Sequence, residues 1–313
     1  MKLDVATTCL VFPGQGSQFV GMGKELAQHH AAARRVFDQA DGVLGIRLSG
    51  TMWEGPQAVL DDTINTQPAL FVHSMAAMAV LQEMWGGGLP AYMAGHSLGE
   101  LSAICASGGL DSEHALRLVR RRGELMKLAG ERSPGRMAAI LSLDTAVLGE
   151  ICKQASTAAE SVTVANDNCP GQVVISGAEA AVERAVTAAK GAGAKRAVTL
   201  AVSIAAHSPL MGSIQREWDG AVDAAPFGPL RSSVIGNVTA EPLRDAEQAK
   251  TDLKAQMQSQ VRWTETIQWL ARAGIRRYIE LGSGNVLSGL IRRIDKEAST
   301  LQLGTPQDVA ALA

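Results

Sequence analysis

Aromatic side chains are scarce in this sequence: five phenylalanines, five tryptophans and two tyrosines make up 4% of its 313 residues. So few stacking surfaces argue against binding single-stranded nucleic acid. An excess of either charge is missing too. Lysine and arginine number 29 against 31 aspartates and glutamates, for a formal net charge of −2. That offers no electrostatic pull toward nucleic acid or an anionic membrane. Cysteine is limited to Cys9, Cys105, Cys152 and Cys169, widely spaced and without a CxxC pair. The pattern is neither a disulfide framework nor a zinc site, and it fits a reducing, cytoplasmic setting. No stretch approaches the roughly 20 apolar residues that span a bilayer. The apolar run Cys9 to Phe12 follows Asp4 and stops at Pro13, a poor signal peptide.

What remains is ordinary globular composition, 46% hydrophobic and 19% charged, at a length suiting one large core or a core with an insert. Short apolar runs alternate with helix-period segments, the rhythm of an α/β protein. Leu10 to Phe12 reads as a strand before the turn Pro13-Gly14-Gln15-Gly16-Ser17-Gln18. A helix is expected from Pro68 to Trp85, capped by Thr66 and ended by Gly86-Gly87-Gly88. Tyr92 to Ala94 reads as a strand, followed by a helix through Cys105 and another from Ser112 to Ala129. Ser133-Pro134-Gly135 marks a boundary. Beyond it, strands at 137–141, 161–165, 172–176 and 197–202 interleave with helices at 145–154 and 179–190. This β-α-β-β-α-β order is the ferredoxin-like pattern. The first rhythm resumes with a strand at 233–235, a helix from Thr264, a strand at 278–281 and a helix to Ile294. The tail beyond Leu303 is expected to be loosely held. The units are therefore 1–132 with 203–313, and an insert at 133–202.

Gly95-His96-Ser97-Leu98-Gly99 matches the G-x-S-x-G nucleophile elbow, with a strand before it and a helix after. The glycines let a strained strand-to-helix turn lift the hydroxyl and aim the helix amides at a reacting oxyanion. An ordinary helix cap is the bland alternative. The hydroxyl needs a base. Among six histidines, His96 adjoins Ser97 and points elsewhere, His29, His30 and His114 look solvated, and His73 looks like a helix-surface or packing residue. His207, in a loop downstream of the elbow, has the expected chain order, against the alternative of a solvated loop residue. Glu280 and Asp111 are candidate third members, although Asp111 equally suits a helix cap and a backbone carbonyl can do the same work.

Arg122 falls inside the apolar stripe Ala115, Leu118, Val119, Leu125, Met126 and Ala129. A guanidinium on an inward face needs a partner. Either an internal acid such as Glu100 or Glu124 supplies it, or a substrate carboxylate does. The Gly14 turn is no nucleotide site. Phe19 stands where a dinucleotide fingerprint needs glycine, and Glu25 follows Gly23-Lys24 where a P-loop needs serine or threonine. Exposed amides there suit a second oxyanion donor.

Phe12-Pro13-Gly14-Gln15-Gly16-Ser17-Gln18, Gly95-His96-Ser97-Leu98-Gly99-Glu100, Arg122-Gly123 and Ala165-Asn166-Asp167-Asn168 together resemble malonyl-CoA:acyl carrier protein transacylases. So do 171–177, His207 and Val261-Arg262-Trp263, and the resemblance extends to the acyltransferases that load polyketide synthases in trans. It runs from the first strand to about Ile294. The resemblance implies an α/β-hydrolase-like core with a ferredoxin-like insert, no tightly bound cofactor, malonyl-CoA as substrate and an acyl carrier protein as partner. It implies Ser97 as nucleophile, His207 as base, Arg122 as the malonyl carboxylate's clamp, and the Gln15 and Leu98 amides as oxyanion hole. A main-chain carbonyl from Val261-Arg262-Trp263 would orient the histidine, making a dyad. Arg262, Asn166 and Ala206 are supporting candidates. Arg262 departs from a common glutamine, Ser283 from a common proline, and Ala206 from a bulkier phenylalanine, which leaves room for α-substituted malonyl groups. An editing hydrolase, an idle docking partner of a synthase and a loader for a malonate decarboxylase are the alternatives. The inward Arg122 counts against an editor of neutral acyl chains.

Overall fold

The computed structural model describes residues 4–86, 88–200 and 204–312. Strands β1 (Thr8–Phe12) and β2 (Tyr92–Gly95) lie in the first third of the chain. Next come β3 (Arg136–Leu141), β4 (Val162–Cys169), β5 (Gln172–Gly177) and β6 (Arg196–Thr199). The last are β7 (Ser233–Ile235), β8 (Pro242–Leu243), β9 (Arg277–Leu281) and β10 (Ser299–Leu303).

β1 is buried along its whole length, and its alternation feeds two cores. Leu10 and Phe12 join the larger apolar cluster, while Cys9 and Val11 join a second one with Tyr278, Trp263 and Ile291. A strand apolar on both faces belongs inside a covered, parallel sheet. That sheet has the order β10-β9-β1-β2-β7-β8, with β1, β2, β7, β9 and β10 parallel and β8 antiparallel at one edge. The parallel strands therefore end on one edge, where the turns after Phe12, Gly95, Ile235 and Leu281 gather. Ligands in such sheets bind beyond that carboxyl edge.

The middle segment forms a separate antiparallel sheet of order β4-β5-β3-β6. Helices Thr145–Ala155 and Glu179–Gly191 cover one face with their own apolar cluster. β4 reaches past its expected end at Ala165, through two register shifts, to Cys169. There it is stitched to the core: Val261 donates to the Ala165 carbonyl at 2.8 Å, and Asp167 donates back to the Val261 carbonyl at 3.0 Å. The expected strand at 197–202 is β6, and Ala201 and Val202 lie outside the described residues, as do Gly87 and Ser203.

Three expectations are corrected. The helix assigned to 68–85 spans Thr63–Trp85, capped by Asp62 rather than Thr66. Pro68 sits inside it because the Ile64 carbonyl, which the missing N–H leaves unpaired, accepts from Arg120 Nη1 at 3.3 Å. The tail beyond Leu303 is packed, not loose. Gly304 accepts from buried His73 Nε2 at 3.0 Å, and Val309 and Leu312 of the helix Pro306–Leu312 are buried. Four helices between Lys24 and Leu60, the short turn of helix Pro209–Ile214, and helices Gln215–Ala224 and Ala246–Gln256 had no sequence forecast.

Candidate active site

Ser97 stands between β2 and the helix Leu98–Ala106 with φ 53° and ψ −108°. Such a backbone is strained for a residue with a side chain and persists only where the surroundings hold it. They do. A Cβ on Gly99 would run into the Phe12 carbonyl of β1, and one on Gly95 would run into the backbone of Gly99 itself. Asn237, at the end of β7, clamps the turn from beneath: its Oδ1 accepts from Ser97 N at 2.7 Å and its Nδ2 donates to the Gly95 carbonyl at 2.7 Å. As the first helical residue, Leu98 has an N–H with no intrahelical acceptor. The Gly14-Gln15 turn packs onto the elbow so closely that a Cβ on Gly14 would lie 2.5 Å from the His96 carbonyl.

His207 meets this hydroxyl from the loop after β6. Its Nε2 lies 2.8 Å from Ser97 Oγ, and its Nδ1 lies 2.9 Å from the main-chain carbonyl of Gln256. That carbonyl can only accept, so Nδ1 carries the proton and Nε2 presents a lone pair to the hydroxyl. His207 is 3% exposed, and burial, with the Arg122 charge second, lowers its pKa to about 3. The imidazole is neutral at neutral pH.

Arg122, on the helix Ser112–Arg132, is 1% exposed. Among the described residues its guanidinium donates only to neutral groups: Gln67 Oε1 at 2.9 Å, Met126 Sδ at 3.4 Å, Gln256 Oε1 at 2.8 Å and Ser97 Oγ at 3.1 Å. Its Nε finds no acceptor among the described residues. Glu124 instead pairs with Arg120 and Arg121, and Glu100 turns to Gln256 Nε2 at 2.5 Å. Among the described residues this cation has no ion-pair partner, although burial drags its pKa down to about 10. A buried cation beside a hydroxyl and without an anion can receive one.

Ser97, His207 and Arg122 thus converge, with Leu98 opening the helix after Ser97 and the Gly14-Gln15 turn packed against the His96 carbonyl. The histidine's partner is not where the sequence reading put it. Nδ1 bonds the Gln256 carbonyl, whereas the Val261 carbonyl accepts from Asp167 N and the Arg262 carbonyl from Thr266 N at 2.9 Å. Glu280 is no third member: its two oxygens accept from Leu287 N and Ser288 N at 3.0 and 2.8 Å, capping the helix Val286–Ile294. Asp111 caps the helix Ser112–Arg132. Arg262 faces away, binding Glu265 and the carbonyls of Val238 and Thr239. Asn166 is 6% exposed on β4, and its neighbour Asn168, not Asn166, accepts from His96 at 2.8 Å. Ala206 is 9% exposed and packs in the main core. Gln256, Gln67 and Asn237 were missed. No local motif marks them, and the one available signal was glutamine and asparagine recurring at positions that prove buried.

With this geometry in hand, known proteins are informative. The family described as acyl transferase domain matches residues 9–302. A malonyl CoA-acyl carrier protein transacylase of Bacillus subtilis (strain 168) is 41% identical over 299 residues, 96% of this chain and 94% of its own length. Among solved structures, an acyl carrier protein S-malonyltransferase from Vibrio cholerae is similar with a TM-score of 0.94 at 38% identity, covering 98% of this chain and 100% of that one. A malonyl-transacylase in complex with its type II PKS acyl-carrier protein is similar with a TM-score of 0.94 at 39% identity, covering 98% of each chain. The mixed α/β architecture is shared with these structures.

Proposed function

The chain belongs to the acyl transferase domain family, and from that premise we propose that it carries a malonyl group from coenzyme A to the phosphopantetheine thiol of an acyl carrier protein through an ester on Ser97. His207 Nε2 takes the Ser97 proton as Oγ attacks the thioester carbon. The Gln15 and Leu98 amides hold the oxyanion, worth about 2.7–4 kcal/mol per donor in such sites. The tetrahedral centre then collapses, the C–S bond breaks, and His207 returns its proton to the coenzyme A thiolate. In the second half the carrier's thiol gives its proton to His207, its sulfur attacks the ester, and Ser97 Oγ leaves with that proton. Arg122 holds the free carboxylate throughout. These steps need a hydroxyl, an imidazole, amides and a guanidinium, so no tightly bound cofactor enters the reading.

The observation that carries it is Arg122, buried without an anion 3.1 Å from the nucleophile. Intact-protein mass spectrometry with malonyl-CoA and acetyl-CoA tests it. Wild type gains one malonyl group and little acetyl, whereas Arg122→Ala loses about 2–5 kcal/mol of malonyl recognition and with it the preference. Equal labelling of wild type by both donors overturns the assignment.

The finer architecture belongs to the same reading. Residues 1–132 with 203–313 form an α/β-hydrolase-like core, and 133–202 form a ferredoxin-like insert, supported by the β4-β5-β3-β6 order and its separate apolar cluster. No helix among the described residues is long and apolar enough to cross a membrane, in keeping with a cytoplasmic site of action.

A further inference from the structure

Two carboxyl groups lie behind the guanidinium, and the reaction uses neither. Glu100, on the helix after Ser97, is 0% exposed; Asp252, one turn before Gln256 on the helix Ala246–Gln256, is 3% exposed. The two side chains face each other, with the Asn237 main chain also beside Glu100, and among the described residues neither forms an ion pair. Two carboxylates in contact inside a protein cannot both ionise, so one proton lies between them. Its location follows from the neighbours. Both Asp252 oxygens are already taken, accepting from Val238 N at 3.2 Å and from Thr239 N and Oγ1, both at 3.3 Å. Among the described residues Glu100 Oε1 has no donor in hydrogen-bond geometry, which leaves it room for an O–H aimed at Asp252. Its other oxygen accepts from Gln256 Nε2 at 2.5 Å, and the same Nε2 donates to the Ser97 carbonyl at 3.0 Å. With the amide so oriented, Gln256 Oε1 faces Arg122 Nη2 at 2.8 Å. A swapped amide would set N–H against N–H.

We propose that Glu100 works as a neutral carboxylic acid: it positions Gln256 and leaves Arg122 free for the substrate carboxylate, while Asp252 holds the proton on it. The inference rests on the reading of Arg122 as the malonyl clamp. The groups facing Glu100 are Asp252 from one helix and Arg122 from another, with His207 across the Gln256 carbonyl. Burial first and Asp252 second push its pKa well above the ordinary carboxylate value. An ionised Glu100 would be an internal anion beside Arg122, competing with the substrate.

The test is a cycle of Asp252→Asn and Glu100→Gln, read as KM for malonyl-CoA and for acetyl-CoA between pH 6 and 9. Asp252→Asn removes the second of the two causes that raise the Glu100 pKa, so Glu100 ionises at a lower pH than in wild type. If a tenth of the enzyme then keeps a free clamp, KM for malonyl-CoA rises about tenfold, more at alkaline pH, with acetyl-CoA unaffected. Adding Glu100→Gln, which donates to position 252 and accepts from Gln256 as the protonated acid does, restores KM and flattens its pH dependence. A purely structural defect would worsen, not recover, in the double variant. A second readout needs no Asp252 variant: at pH 7 wild type shows an infrared band of a protonated carboxyl that Glu100→Gln lacks. Absence of that band in wild type, or failure of the double variant to recover, overturns the proposal. Arg122→Ala separates the two readings. If it leaves the malonyl preference intact, the clamp itself fails; if the preference is lost while the cycle shows no rescue, only the role of Glu100 fails.

Discussion

His207 is buried behind Arg122 with its pKa lowered to about 3, and that fixes how the reaction answers to acid. As the proposed base, His207 must be neutral to accept the Ser97 proton, and neutral it stays until pH falls through the folded value. The profile of kcat/KM reports the free enzyme, so it is expected to stay flat from pH 7 to 5 and to bend only below that. An acid limb near 6.5, the ordinary histidine value, would mean that the ring is solvated in solution. Ser97 itself was legible in the sequence because its strained backbone depends on contiguous residues: glycines at 95 and 99, a strand before and a helix after. Gln256 was not. It matters through bonds to Arg122 and Ser97 that cross 134 and 159 residues, and nothing local announces them.

At the scale of elements, the proposed clamp depends on two helices lying close. Gly123, beside Arg122, faces the first turn of Thr63–Trp85, where an added Cβ would lie 2.8 Å from the Thr63 carbonyl and 3.1 Å from Ile64 Cα. Gln67, which accepts from Arg122, sits one turn further along that helix. Gly123→Ala must push the helices apart. It is expected to cost about 1–3 kcal/mol in urea unfolding, as overpacking does, and to raise KM for malonyl-CoA more than for acetyl-CoA. An unchanged ratio of the two KM values would show that the guanidinium does not depend on this spacing. The inward face of Ser112–Arg132 was readable from its apolar period. That its arginine meets no acid was not, because the competing carboxyls at 100 and 124 are satisfied by partners the period does not reveal.

For the molecule as a whole, buried histidines set the sensitivity to acid. His73, 2% exposed on the helix Thr63–Trp85, has its pKa lowered by burial to about 4. It is neutral when folded and protonates near 6.5 when unfolded. Its contribution to stability is complete above that value and is lost as pH falls toward 4, at up to about 1.4 kcal/mol per pH unit. His73→Gln, which can still donate to the Gly304 carbonyl, should flatten the fall in urea stability between pH 6.5 and 4 by that slope. Parallel curves for the two proteins would contradict it. Deleting residues 305–313 should lower stability at every pH by removing the packing of Val309 and Leu312. By itself the sequence determined the α/β alternation, the elbow at Ser97, the inward arginine and the loop histidine, because each depends on near neighbours in the chain. Only the tertiary structure decided which carbonyl orients His207, that Arg122 is left without an anion, and that the tail is held. Those are properties of groups brought together by the sheet order β10-β9-β1-β2-β7-β8, whose central neighbours β9-β1, β1-β2 and β2-β7 are far apart in sequence.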